Sequence, residues 1–173
     1  MEPYWNSING PDFRQGDFLP DCLVPAFHPD FGTNVEQTET VQVDQYNLIV
    51  LTQSCDLANN KARLVALSPI YAKSDFEQVN TQLQQKGQWE RVRQGRVEGL
   101  HLLASPQTPE DNQLALVVNF REVYSLPIDY LTKHAKECGD RWRFRSPYLE
   151  HFSQAFARFF MRVGLPSSIP AFK

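Results

Sequence analysis

The sequence has few cysteines and no long apolar run. Its three cysteines, Cys22, Cys55 and Cys138, are too scattered for the disulfide framework of a small secreted protein. No apolar run approaches the roughly 20 residues that a membrane-spanning helix needs. The N-terminus is acidic and aromatic, unlike a signal peptide. We therefore expect a cytoplasmic protein that makes no contact with a membrane.

The motifs of several enzyme classes are also absent. The sequence contains no Walker loop, no Gly-x-Gly-x-x-Gly, no Gly-x-Ser-x-Gly, no His-Glu-x-x-His and no Cys-x-x-Cys. Nucleotide hydrolysis, dinucleotide redox chemistry and α/β-hydrolase chemistry are therefore without support. We expect no bound cofactor.

Residues that could hold a metal ion lack the necessary spacing. His134 and Cys138 are four positions apart on a predicted helix, which would place both on one face as half of a metal site. No second pair with such spacing accompanies them, so we expect no metal. The N-terminal aspartates lack the spacing of a calcium loop and are predicted to form turns. These aspartates are Asp12, Asp17, Asp21 and Asp30.

The sequence has the composition of a globular protein: 42% of its 173 residues are hydrophobic and 21% are charged. This length fits one domain, residues 1–173. Residues 46–52 contain a continuous apolar run at positions 48–51, which predicts a strand buried on both faces. A second strand over residues 62–67 should end before Pro69 and pair with the first as a hairpin. Together with the helices below, the pattern indicates an α+β fold.

Three helices are predicted after the hairpin. Ser74 and Glu77 have the spacing of a capping box, so a helix should begin at Asp75 and bury three apolar side chains. A short helix is predicted over residues 128–136. A C-terminal helix over residues 147–163, capped by Ser146, should bury an apolar stripe against residues 46–52. The buried side chains of the first helix are Phe76, Val79 and Leu83, and the stripe is Leu149, Phe152, Phe156, Phe159, Phe160 and Val163.

Charge is distributed unevenly along the chain. Residues 1–60 hold nine carboxylates and one cation, whereas residues 61–173 hold sixteen cations and eleven carboxylates. Two interpretations stay open: either the acidic front half folds against the basic tail, or the tail contacts nucleic acid or an acidic partner. The candidate contact residues are Arg141, Arg143, Arg145, Arg158 and Arg162.

Two short segments mix arginines with aromatic rings, as proteins that bind single strands do. In residues 141–145, strand alternation would place three arginines on one face and Trp142 and Phe144 on the other. Such a row would suit phosphates, and it would equally protect a sheet edge from aggregation. The other segment contains Trp89, Arg91, Arg93 and Arg96.

A polar segment follows the apolar strand where that strand should reach the surface. A thiol there could act as a nucleophile if a histidine lay nearby in space, or it could be an inert buried cysteine. We treat the segment as a candidate catalytic site. Its residues are Gln53, Ser54, Cys55 and Asp56.

Gly16 and Asp17 open a strand, and residues 48–52 and 64–70 follow as a hydrophobic and a valine-rich strand. In these features residues 14–72 resemble the MazF/PemK-type toxin family. The resemblance implies an SH3-like β-barrel core, mainly residues 14–72 and 100–126, with inserted helices. It also implies ribonuclease activity within a toxin–antitoxin pair. Tyr71 stands where the family has its catalytic threonine or serine, so the implied site is degenerate.

Three hypotheses follow. The first is a non-enzymatic bacterial module that binds RNA, single-stranded DNA or a protein partner through its basic C-terminal third. The second is a MazF/PemK-like endoribonuclease with a degenerate active site, and the third is a cysteine-dependent activity at Cys55. The sequence leaves the oligomeric state open. Three short segments also resemble small bacterial proteins of unknown role: residues 15–17, 50–57 and 146–151.

Overall fold

The computed structural model describes residues 4–32 and 40–161. Strands and helices alternate along these residues, which confirms the α+β prediction. The strands are β1 (Trp5–Ile8), β2 (Phe18–Ala26), β3 (Gln42–Val50), β4 (Leu64–Ala72), β5 (Leu100–Leu103), β6 (Leu116–Asn119), β7 (Tyr124–Pro127) and β8 (Arg141–Phe144). The helices are α1 (Ser54–Ala58), α2 (Lys73–Val79), α3 (Gln88–Arg93), α4 (Ile128–Glu137) and α5 (Tyr148–Phe160), with 3-10 turns at Thr81–Gln84 and Asn112–Leu114.

An antiparallel sheet forms the centre of the molecule. Its strands run in the order β2-β3-β4-β6-β5, and β7 pairs with the first half of β4. The two remaining strands, β1 and β8, form a separate antiparallel pair. No strand pairing within residues 4–32 and 40–161 joins the far edge of the large sheet back to β2, so the sheet is open and not a closed barrel.

β3 is buried on both faces at its C-terminal end, as its apolar sequence predicts. Leu48 and Val50 pack on the side of the sheet that α1 and α4 cover, together with Leu57 and Leu131. Ile49 points to the opposite side, where α5 and the β1–β8 pair form a second cluster. The alternation of a strand therefore supplies two cores from one apolar run. A third cluster joins α2 and α3 to β5 and β6.

The predicted hairpin is present, but two of its details differ. β3 and β4 pair antiparallel through residues 48–50 and 67–69, and the connection between them contains the helix α1 instead of a simple loop. Pro69 does not end β4, which continues to Ala72. It lies where β4 leaves its pairing with β3 and begins to pair with β6 through Ile70. A residue without an amide hydrogen is tolerated at such a change of partner.

The first predicted helix exists as α2, but its capping box does not. α2 begins at Lys73 after an Ala72 N-cap, and no side chain bonds that cap. The Ser74 hydroxyl instead lies 3.1 Å from a carboxylate oxygen of Asp75. Phe76 is buried as predicted, and so is Leu83 in the following 3-10 turn. Val79, however, is 81% exposed, because the helix ends there and the chain turns away before the predicted stripe is complete.

α5 is amphipathic and packs on the sheet, although its contacts differ from those predicted. Phe152 is completely buried. The rings of Phe156 and Phe159 lie 5.4 and 6.2 Å from that of Phe120, which follows β6. Both also contact the ring of Phe160, and they pack on a cluster that contains Ile49 and Leu51 of the predicted strand. Phe160 is 57% exposed, so it does not belong to the core.

The two ends of α5 also differ from the prediction. Pro147, not Ser146, occupies the N-cap position, and no side chain bonds the cap. α5 ends at Phe160, and the predicted residues Arg162 and Val163 lie outside the described part of the chain. Among the described residues, no helix combines the length and apolar character needed to cross a membrane.

Candidate functional site

The arginines of β8 do not form one exposed row. Arg141 is 1% exposed. Phe144, which was predicted on the opposite face of the strand, is buried as well. The Arg141 guanidinium donates to the carbonyl oxygens of Gly10 at 2.7 Å and Ala135 at 3.1 Å, and also to that of Asp12. A side chain buried in this way cannot reach a phosphate outside the protein. The predicted contact role of Arg141 is therefore corrected.

Asp17 is the carboxylate that pairs with Arg141 and Arg143. It is completely buried, so it is more than the turn former that the sequence predicted. Arg143 donates to it through Nε and, at 2.7 Å, through Nη2, and Arg141 Nη2 lies 3.8 Å away. The backbone amide of Arg14 donates to the same carboxylate at 3.1 Å. Burial raises the pKa of Asp17, while Arg143, the Arg14 amide and Arg141 act in the opposite direction.

This buried network holds the loop over residues 10–17 against β8 and α4. Arg143 is half-buried, and its guanidinium is held by Asp17, so it too serves the fold. The partners are far apart in sequence: Arg143 is 126 positions from Asp17. The acidic front half thus folds against the basic tail here, which is the first of the two interpretations of the charge asymmetry.

Gly16 is required where the loop meets β8. Its φ is +80°, and a Cβ placed on it would lie 2.8 Å from side-chain atoms of both Phe144 and Leu149. Its amide donates to the Val50 carbonyl at 2.9 Å, and its carbonyl accepts from the Phe144 amide at 3.1 Å. Only glycine adopts this backbone conformation without strain and also leaves room for the two side chains.

The candidate catalytic segment lies at the beginning of α1. Gln53 is the N-cap, and Ser54 accepts a hydrogen bond from the Gln15 amide at 3.2 Å. Cys55 is exposed, with its sulfur 3.6 Å from Gln53 Oε1 and 3.9 Å from Asp56 Oδ1. The segment borders a cleft of about 510 Å³ whose opposite wall is residues 11–14.

No histidine of the described residues lines that cleft beside Cys55. His134 is held 2.6 Å from the Pro20 carbonyl oxygen, and the ring of His28 lies against Phe31. His101 and His151 lie beside a different hollow, between α3 and α5. The structure therefore brings Gln53, Ser54, Cys55 and Asp56 together but provides them with no imidazole base.

A different set of polar side chains converges between α3, β5 and α5. Two adjoining hollows of about 230 and 310 Å³ share Gly95, His101, Ala155 and Arg158 in their walls. We call this double hollow the α3–α5 groove. The smaller hollow is completed by Val97, Glu98, Gly99, Leu100, Phe120 and Phe159, and the larger by Val92, Arg93, Gln94, Leu102, His151 and Gln154.

The α3–α5 groove is lined by two arginines, two histidines and one carboxylate. Arg93, His151 and Arg158 line it with exposed side chains, and Glu98 is the carboxylate of its wall. Arg93 is held by Glu90 through bonds of 2.5 and 2.7 Å. Arg91 and Arg96 line a further hollow beside it. Two predicted basic segments, residues 89–96 and the C-terminal helix, therefore meet on one surface.

His101 occupies a confined position at the centre of the groove. Its ring lies 6.0 Å from that of Phe120 at an angle of 29° and 5.5 Å from that of Phe152 at 71°. Burial, and secondarily the nearby His151, lower the pKa of His101 to about 4. The imidazole is therefore neutral at pH 7, with one nitrogen that donates and one that accepts.

Sequence reasoning identified Arg158 and the arginines of residues 91–96 but missed the histidines of the groove. The available signal was the spacing on α5: His151, Gln154 and Arg158 fall three and four positions apart, as one polar helical stripe does. The remaining predicted arginine, Arg145, is half-buried and precedes α5, with its amide bonded to the Tyr4 carbonyl at 3.2 Å. It and Arg158 lie at opposite ends of that helix.

Within the described ranges, no group of three or more histidine, cysteine or carboxylate side chains is arranged to hold a metal ion. Comparisons with protein-family models, with curated proteins and with solved structures each found no match.

Proposed function

We propose that this protein is a non-enzymatic module that binds single-stranded nucleic acid in the α3–α5 groove. The observation that carries the proposal is the meeting of two basic segments, around Arg93 and around Arg158, on one concave surface. These residues are 65 positions apart (158 − 93) in the sequence, yet they line the same hollow. Arginine guanidiniums match phosphate oxygens in charge and geometry.

The other side chains of the groove suit the rest of a nucleotide. Gln94 and Gln154 are exposed amides that both donate and accept hydrogen bonds. The His151 imidazole adds a further group that donates and accepts hydrogen bonds. A groove that combines arginines and such groups with apolar walls suits a protein that follows a flexible single strand. Arg145 and Arg162 remain predicted contacts for a longer strand.

The proposal is tested by fluorescence anisotropy with labelled 12-nucleotide RNA and DNA over a range of salt concentrations. Each lost phosphate contact should reduce the slope of log affinity against log salt by about 0.7. Arg158→Ala should therefore lower this slope and weaken binding by about fivefold, or roughly 1 kcal/mol. The control is Lys133→Ala, since Lys133 is also an exposed cation, on α4, outside the groove.

Two results would contradict the proposal. If neither oligonucleotide binds at low salt, the nucleic-acid interpretation fails and a protein partner remains for the basic surface. If Lys133→Ala weakens binding as much as Arg158→Ala, attraction is spread over the whole molecule and the groove is not the site.

A second candidate is a ribonuclease with an SH3-like core, as the resemblance to the MazF/PemK-type family implies. What supports it is that β2, β3 and β4 form a continuous antiparallel meander over most of residues 14–72. The Tyr71 hydroxyl, at the position of the family's catalytic residue, donates to Glu122 at 2.6 Å. Incubation with long RNA tests this candidate: RNA that stays intact at stoichiometric protein removes it.

A further inference from the structure

We propose that the smaller hollow of the α3–α5 groove receives one unstacked nucleobase, with His101 bonding the edge of the base and Arg158 the adjoining phosphate. The inference rests on the nucleic-acid binding proposed above and adds how the ligand is held. It identifies the ligand unit as one nucleotide within a single strand.

The size and walls of the smaller hollow suit a single base. Its volume of about 230 Å³ is below the roughly 300–1,000 Å³ of sites for drug-sized ligands. Val97, Phe120, Ala155 and Phe159 give it apolar walls. A flat heterocycle gains from such walls because they remove its faces from water.

His101 is placed to read the edge of that base. It lines both hollows, and the rings of Phe120 and Phe152 fix its orientation. Within residues 4–32 and 40–161, its imidazole makes no hydrogen bond to another side chain or backbone group. Because a neutral imidazole presents one donor and one acceptor, it complements the paired donors and acceptors of a base edge.

Arg158 lies at the junction of the two hollows, because it lines both. A phosphate bound by Arg158 would lead from the base in the smaller hollow to the larger hollow. There His151 and Gln154 are available to the next phosphate and sugar, and Arg93, which is bonded to Glu90, lies beside them. The order of groups along the groove thus follows the order of groups along a nucleotide chain.

The test compares two oligomers of the same length and charge in an anisotropy titration. One carries bases, and the other is an abasic sugar-phosphate chain. The wild-type protein should bind the base-bearing oligomer about tenfold more tightly, the effect expected from one buried hydrogen bond together with apolar contact. His101→Phe keeps the ring but removes its nitrogens, so it should abolish most of this preference without changing the affinity for the abasic oligomer. His28→Phe, at an exposed position, is the matched control.

A measurement on the unaltered protein accompanies these variants. RNA that carries 4-thiouridine should crosslink, on irradiation, to residues of the smaller hollow such as Val97 or Phe159. Crosslinks confined to other surfaces, or wild-type protein that binds both oligomers equally, overturn the inference while salt-dependent binding keeps the proposed function. If neither oligomer binds at low salt, the proposed function fails and the inference with it.

Discussion

Arg141 of β8 and Arg158 of the α3–α5 groove have opposite surroundings. Arg141 is 1% exposed and donates to three backbone carbonyls, and it lies beside the buried Asp17. Arg158 is exposed, and no hydrogen bond or ion pair joins it to another described residue. Arginine side chains that look alike in the sequence thus either hold the fold together or remain available to a ligand.

The difference shows that the groups around an arginine decide its role. The number of charges in a sequence segment does not. Burying a guanidinium is costly unless a carboxylate and several carbonyls surround it. β8 meets these conditions because it pairs with β1 and lies beside the loop that carries Asp17. Arg158 of the groove has no such partner among the described residues, so its guanidinium stays hydrated and can exchange water for phosphate.

The largest expected effect comes from removing the shared carboxylate. Asp17→Ala leaves Arg141 buried without its charged partner, which should lower the free energy of unfolding by about 3–5 kcal/mol. Arg158→Ala is the control and should change it by less than about 0.5 kcal/mol. Urea titrations followed by tryptophan fluorescence measure both. Equal effects of the two substitutions would mean that the comparison between the two regions is wrong.

The inner face of α5 should matter almost as much, because it fixes the position of the groove. Phe152 is completely buried and Phe160 is 57% exposed on the same helix. Phe152→Ala should therefore cost about 3–5 kcal/mol of stability, whereas Phe160→Ala should cost less than about 0.5 kcal/mol. Phe156, half-buried, should lie between them. A large loss for Phe160→Ala in urea would show that the end of α5 is also core.

A fall in pH should lower the free energy of unfolding, because it favours protonation of His101. Its pKa is about 4 in the folded protein and about 6.5 in an unfolded chain. Because the folded state prefers the neutral form, its stabilising effect is complete above pH 6.5 and is lost as the pH falls toward 4. The loss attributable to His101 should reach up to about 3 kcal/mol.

The measurement compares urea stability at pH 7.5, 6, 5 and 4 for the wild-type protein and for His101→Phe. Carboxylates titrate in both proteins, so the difference between the two curves isolates the histidine. If the curves run parallel, His101 is not held in its neutral form.

The sequence predicted the secondary structure well wherever a local pattern determined it. The apolar run of β3, the period of α5 and the helix α4 each carry their signal within a few residues. The errors arose where a distant contact decides the outcome. Val79 follows the helical period but is exposed, because α2 ends there and the chain turns away. Pro69 would end an isolated strand, yet β4 continues because β6 pairs with its second half.

The candidate site was harder to predict, since it depends on which segments meet. The alternation of arginines and aromatic residues along β8 does not reveal that Asp17 lies beside Arg141 and Arg143. The positions of His101 and His151 carry no mark of their own, because only the packing of α5 across β5 places them in one groove. Local periodicity thus predicts elements, whereas the assembly of a site needs the tertiary contacts.

The smallest expected effect is at Cys55, which belongs to the same side of the molecule as the buried network but lies on its surface. Cys55→Ala should change the free energy of unfolding by less than about 0.5 kcal/mol and leave nucleic-acid binding unaltered.

Cys55 should be alkylated first at neutral pH, since it is exposed. Cys22 should react last, because burial covers its sulfur and raises its pKa to about 12. Mass spectrometry of timed alkylation samples gives the order. Alkylation of Cys55 much faster than that of a cysteine in a short peptide would indicate an activated thiolate. The cysteine-dependent hypothesis would then replace the groove as the centre of function.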